Sequence, residues 1–141
     1  MRLVIDSSAF AKRYLREFGT DQLNDVLSMA SELGVSIILV PEVISAMNRQ
    51  VRESKISKAD YRYIKQQFLL DINDTVILQT TPESIAKAIQ LLEYNTLRAM
   101  DALHVSSALL WQADLFVTAD KRQWLAAENA GLETLFLGVL T

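Results

Sequence analysis

Apolar and polar positions along the chain follow two periods, one of strands and one of helices. Leu3-Val4-Ile5 is a short apolar run that stops on Asp6, Ser7 and Ser8, the pattern of a buried strand ending in polar groups. Ala9 to Phe18 then reads as a helix, with Gly19 as its C-terminal cap. Thr20 is placed to cap a second helix, in which Leu23, Val26, Leu27, Ala30 and Leu33 recur at helical spacing before Gly34 stops it. Ser36 to Val40 repeats the buried-strand pattern, and Pro41 suits the first turn of a helix running to about Ser54. Ser57 to Asp60 resembles a capping box, and Tyr61, Ile64, Phe68 and Leu69 mark the second arm of a helical hairpin.

Thr75 to Gln79 is a β-branched strand, and Thr81-Pro82 opens a helix carrying Ile85, Ala88, Ile89 and Leu92. Leu97 to Ala113 is apolar around most of a helical circumference and is therefore expected to be buried. Leu115 to Thr118 is the next strand, Lys121 to Ala130 the next helix with Gly131 as its cap, and Thr134 to Leu137 a last strand. Strands alternating with helices predict a three-layer α/β/α fold around a central, mainly parallel sheet of about five strands, as one domain over residues 1–141.

Composition narrows the chemistry. Half of the 141 residues are hydrophobic and no low-complexity tract dilutes them, which excludes a disordered chain. No apolar run approaches the ~20 residues that span a bilayer. The N-terminus opens into a strand-like run rather than a signal-peptide pattern, and cysteine is absent, so a cytoplasmic protein is expected. With no cysteine and one histidine, a structural zinc site is excluded in practice, and any metal must be held by oxygen. The formal charge of -3 gives no general attraction for nucleic acid, so binding would rest on local patches and a bound cation. Four unclustered glycines leave no phosphate-cradling loop or dinucleotide fingerprint.

Asp6, Glu42 and Asp120 each fall at or just after the end of a predicted strand. In a parallel sheet those ends share one edge, so three distant carboxylates converge there. Asp101 joins them for another reason: it lies inside the apolar stretch Ala99-Met100-Asp101-Ala102-Leu103, where an ionised carboxylate needs a cation or a donor to offset its burial. Clustered carboxylates repel unless a proton or a metal neutralises them. An all-oxygen donor set suits Mg²⁺ or Mn²⁺, and the chemistry implied is metal-dependent hydrolysis. Taken singly, Asp6 and Asp120 also read as helix caps, and Glu42 as a first-turn acid favoured by the helix dipole.

Asp6-Ser7-Ser8-Ala9-Phe10-Ala11-Lys12, Pro41-Glu42-Val43, Asp101-Ala102-Leu103-His104 and Thr118-Ala119-Asp120 resemble, in order and spacing, the four motifs of the PIN-domain nucleases, most closely the VapC-like toxins of toxin–antitoxin pairs. The resemblance implies a metal-dependent endoribonuclease with Asp6, Glu42, Asp101 and Asp120 as the catalytic, metal-binding acids and Ser8 and Thr118 as hydroxyl partners. It further implies an RNA substrate, an antitoxin protein as partner and a homodimer. Where relatives often carry another acidic or amide group shortly after the last aspartate, Lys121-Arg122-Gln123 follow here, adding two cations that can face phosphate.

Arg49, Arg52, Lys55, Lys58, Arg62 and Lys65 place six of the 14 basic residues in the helical hairpin after Glu42. They read either as a solvated surface or as a positive wall for RNA backbone. Arg49, two turns from Glu42 on roughly the same face, is the best RNA-binding candidate, and Lys12 is a second. Tyr14, Tyr61 and Tyr63 serve equally as core residues or as base-stacking surfaces. His104 fits a satisfied core histidine better than a catalyst. Two rival functions share these residues. One is a non-catalytic PIN-like RNA-binding or protein-interaction module. The other is a response-regulator-like or phosphatase-like domain, which lacks here a paired acid beside Asp6 and a lysine after a late strand.

Overall fold

A computed structural model describes residues 1–140. Strand β1 (Arg2–Ile5) leads into a one-turn helix α1 (Ser7–Phe10), a 3-10 turn over Ala11–Arg13, and helix α2 (Thr20–Leu27). Strand β2 (Glu32–Ser36) is followed by the helical hairpin α3 (Leu39–Arg52) and α4 (Lys58–Ile72). Then come β3 (Val76–Leu78), α5 (Pro82–Tyr94), α6 (Ala99–Leu110), β4 (Leu115–Thr118), α7 (Lys121–Asn129) and β5 (Thr134–Phe136). The five strands form one sheet in the order β3-β2-β1-β4-β5, with every pairing parallel. No helix among the described residues is long and apolar enough to cross a membrane.

Side-chain alternation on the strands divides the core into two layers. From β1, Leu3 and Ile5 join a cluster with Phe10, Leu23, Leu39, Val43, Met47 and Phe68, which belong to α1 through α4. Val4 points the other way, into a cluster with Ala88 and Leu91 of α5, Ala102, Val105 and Ala108 of α6, and Ala127 of α7. β4 alternates in the same way, with Val117 on the first face and Phe116 on the second. The predicted three-layer architecture is therefore present, with β1 at the centre of the sheet.

Several predicted boundaries move. The helix expected over Ala9 to Phe18 is only α1 plus a 3-10 turn. Gly19 does not end it but stands at the N-cap of α2 with φ +91°, where an added Cβ would lie 2.9 Å from the Leu137 carbonyl oxygen. Thr20 does not cap α2; its hydroxyl donates to the carbonyls of Lys12 and Glu17 and fixes the loop before the helix. The strand expected over Ser36 to Val40 runs instead over Glu32–Ser36, with Gly34 inside it. A Cβ on Gly34 would meet the Trp111 ring at 2.7 Å, so this glycine permits a close packing contact and is no helix stop. Leu39, Val43 and Met47, all fully buried, form the apolar stripe of α3, which explains why the Ile37-to-Val40 run enters a helix.

Elsewhere the local signals hold. Ser57 and Asp60 make a reciprocal capping box at α4, Thr81 caps α5 with Pro82 in its first turn, and Gly131 takes φ +91° after α7.

Candidate active site

Asp6 follows β1 directly, and its side chain caps α1 by accepting from the Ala9 N–H at 2.9 Å. Its carboxylate also accepts from the Ser8 hydroxyl, at 2.8 and 2.9 Å, and from the Thr118 hydroxyl at the end of β4. Ser8 and Thr118, the two expected hydroxyl partners, therefore both hold Asp6. The carboxylate is completely buried. Burial pushes the Asp6 carboxyl up, and the opposing influences of His104, Thr118, Ala9 and Ser8 do not cancel it.

Glu42 lies in the first turn of α3. Its Oε1 accepts from the Ser7 hydroxyl at 2.7 Å and lies 2.6 Å from His104 Nε2. A carboxylate only accepts, so the imidazole carries its proton on Nε2 toward Glu42. Burial works against ionisation of Glu42, but these two hydrogen bonds and the charges of His104 and Arg98 outweigh it and hold the carboxyl below the usual range. His104 is thus neither an isolated core histidine nor a free base: it positions Glu42 across 62 residues of sequence. Its Nδ1 is buried without a hydrogen-bond partner.

Asp101 is only 4% exposed, but it is not in a helix interior as the apolar context suggests. α6 begins at Ala99, after an extended Arg98, so Asp101 occupies the first turn, where the helix dipole favours an acid. Its Oδ1 accepts from Gln123 Nε2 at 3.0 Å and its Oδ2 from Arg98 Nε at 2.9 Å. Asp120 caps α7 through Oδ1, which accepts from the Arg122 and Gln123 N–H groups, while Oδ2 stands 3.9 Å from Arg98 Nη2. The cap reading and the site reading of Asp120 are both satisfied, by different oxygens of one carboxylate.

Glu42, Asp101 and Asp120 line one cleft of about 250 Å³ together with Ser7, Ser8, Arg49, Arg98, His104 and Gln123. Asp6 is fully buried and does not line it, but accepts from Ser8, which does. The donors suit a hard cation in kind. In arrangement they are open: among the described residues no three His, Cys, Asp or Glu side chains gather tightly enough to hold an ion as they stand. Of the two cations in the lining, Arg98 is the one in contact with the acids, through Asp101 and Asp120.

The two predicted RNA contacts separate. Arg49 lies on the cleft wall, one further turn along α3 from Ala46 and Glu42. Lys12 lies apart from the cleft: it is 7% exposed and pairs with Glu17 at 3.3 Å. The tight 3-10 turn after α1 carries it inward, where Glu17 offsets its charge. Lys121 and Arg122 are exposed but also lie outside the cleft lining. Tyr14 stacks on Phe10, meets Phe68 edge-on and donates to Asp71, so it belongs to the core. Arg98, Gln123 and Ser7 are site residues that the motifs alone did not single out. Arg98 was nevertheless legible as the i−3 neighbour of a buried acid.

A PIN-domain profile matches residues 3–129. No curated protein matches the sequence. Among solved structures, a toxin–antitoxin complex from Klebsiella pneumoniae superimposes with a TM-score of 0.71 at 12% identity, over 98% of this chain and 99% of that one. FitAcB from Neisseria gonorrhoeae gives 0.70 at 13% identity, over 94% and 96%. VapC20 from Mycobacterium tuberculosis, a toxin that cleaves the sarcin-ricin loop, gives 0.68 at 12%, over 92% and 95%. At these identities the superpositions establish a shared fold, and the profile spans nearly the whole sequence: the chain belongs to the PIN-domain family.

Proposed function

We propose that the chain is a Mg²⁺- or Mn²⁺-dependent endoribonuclease that hydrolyses RNA phosphodiester bonds, and that it acts as the toxin of a type II toxin–antitoxin pair. The observation that carries this reading is the delivery of Glu42, Asp101 and Asp120 to one cleft by three separate elements, with the buried Asp6 joined to that cleft through Ser8. Such a group is stable near neutral pH only beside positive charge, and an all-oxygen set suits a hard divalent ion. A bound ion of this kind lowers the pKa of a water and stabilises a leaving oxygen. The chain's own groups hold and orient the acids. Ser7 and His104 fix Glu42, Gln123 fixes Asp101, and Ser8 with Thr118 fixes Asp6. Arg49 stands where it can meet backbone phosphate entering the cleft.

Membership in the PIN family supports a nuclease, and the fold likeness to a toxin–antitoxin complex and to a sarcin-ricin-loop-cleaving toxin supports the biological setting. An antitoxin protein and a second copy of the chain are the proposed partners.

Asp101→Asn tests the assignment. The change keeps an acceptor for Gln123 and the size of the side chain, so circular dichroism should be unchanged while Mn²⁺-dependent RNA cleavage drops by at least ~100-fold. Cleavage at the wild-type rate would remove Asp101 from the site. The rival reading, a non-catalytic RNA- or protein-binding module, draws on the helix caps that Asp6 and Asp120 do form. RNA binding indifferent to chelator, with no cleavage in Mn²⁺, would favour it.

A further inference from the structure

Three carboxylates of the cleft share one design. Glu42 has Oε1 tied to Ser7 and His104, while Oε2 accepts no hydrogen bond from the described residues. Asp101 has Oδ1 tied to Gln123, and Asp120 has Oδ1 tied to the start of α7. Each acid is thus anchored by one oxygen and presents the other to the cleft. Arg98 stands among the presented oxygens, bonded to Asp101 Oδ2 at 2.9 Å and 3.9 Å from Asp120 Oδ2. Its side chain is 73% exposed, so its contacts with the acids, rather than packing, hold it there.

We infer that Arg98 is a built-in counter-ion, occupying the carboxylate cleft in the metal-free protein and withdrawing when a divalent cation takes the same oxygens. The inference rests on the metal-site reading above. It also explains why the acids converge on one cleft although no three of them close around an ion as they stand. The guanidinium stays charged throughout, as an arginine does at any pH the protein meets. Such an arginine competes with the metal. It offsets Asp101 and Asp120 before loading, and being exposed it can leave without disturbing the core. Arg98 is a positioning residue by this account, since it acts through the acids.

The competition has a sign that a merely structural role would not produce. A residue that only builds the site weakens metal binding when removed, whereas removal of a competing cation strengthens it. Isothermal titration of Mn²⁺ alone into Arg98→Gln should give a dissociation constant roughly tenfold lower than wild type, and Arg98→Lys should stay near wild type because it keeps the charge. Without metal, Arg98→Gln should melt earlier than wild type, and Mn²⁺ should close the difference. Equal or weaker Mn²⁺ binding by Arg98→Gln overturns the inference, as does equal strengthening in Arg98→Lys. If neither wild type nor Arg98→Gln binds Mn²⁺, the metal-site reading itself falls and the inference with it. Should Arg98→Gln fail to fold, the wild-type Nε–H resonance of Arg98, assigned with Arg98→Lys, decides instead. It should shift during Mg²⁺ titration with the calorimetric midpoint, and an unmoved resonance overturns the proposal.

Discussion

Asp6 combines complete burial with three donors, the Ser8 and Thr118 hydroxyls and the Ala9 N–H, and the balance has a direction. Its folded carboxyl titrates above the ordinary value of 3.8, because burial outweighs the hydrogen bonds it accepts. Between the unfolded and the folded value the native state holds the extra proton, so stability falls as pH rises through that window. At neutral pH and without metal, the buried Asp6 therefore costs the fold stability. Asp6→Asn, measured in chelator, should melt higher than wild type at neutral pH by on the order of a few degrees, and the gap should close near pH ~4. Asparagine can still accept from the Ala9 N–H, so the α1 cap survives. The same variant should lose RNA cleavage. A variant that melts lower at neutral pH would show that the hydrogen bonds outweigh burial after all. Glu42 has the opposite sign: its folded carboxyl titrates low, so its contribution is present above the ordinary value and fades as pH falls through the folded one.

At the scale of elements, β2 carries the clearest test of how the sheet is packed. Gly34 lies under the Trp111 ring and beside Leu78, with no room for a methyl group. Gly34→Ala should lower stability by ~1–3 kcal/mol, because an indole wedged between a strand and the end of α6 cannot shift cheaply. Urea denaturation would measure it, and an unchanged midpoint would mean that the ring moves freely. This glycine also shows where sequence was ambiguous. A glycine after an apolar helical pattern signals a stop, and only the tertiary contact with Trp111, 77 positions away, reveals a strand residue. The same limit applies to Gly19, whose contact is with Leu137. Capping boxes at Ser57 and Thr81 and the apolar β4 were legible because their partners lie within a few residues. The four acids were legible from strand ends and motif order. Gln123 and His104 were not, since each acts through a contact between helices, α7 to α6 and α6 to α3. Asp101 was singled out on a partly mistaken ground, for α6 starts later than the apolar pattern suggests and sets the acid in a first turn.

For the whole molecule, charge and topology set opposing demands. Parallel order with β1 at the centre brings the ends of β1 and β4 side by side, so the acids they carry meet in one place. The consequence is a cleft walled by carboxylates in a protein of net charge -3, which repels the RNA backbone unless local cations intervene. Of the six basic residues in the α3–α4 hairpin, only Arg49 lines that cleft; Lys55 is paired with Glu53, and Lys65 lies over the Tyr61 ring. The hairpin is therefore not a uniform positive wall, and backbone recognition should depend on Arg49 far more than on its neighbours. Arg49→Ala should weaken single-stranded RNA binding to a similar extent for unrelated sequences and reduce the slope of log affinity against log salt by about one, as loss of one phosphate contact requires. Arg62→Ala, exposed on α4 and outside the cleft lining, should leave the slope unchanged. Anisotropy titrations over a salt series, with Ca²⁺ replacing Mg²⁺ to suppress cleavage, would separate the two variants. Equal slopes for Arg49→Ala and wild type would place the RNA path away from this wall.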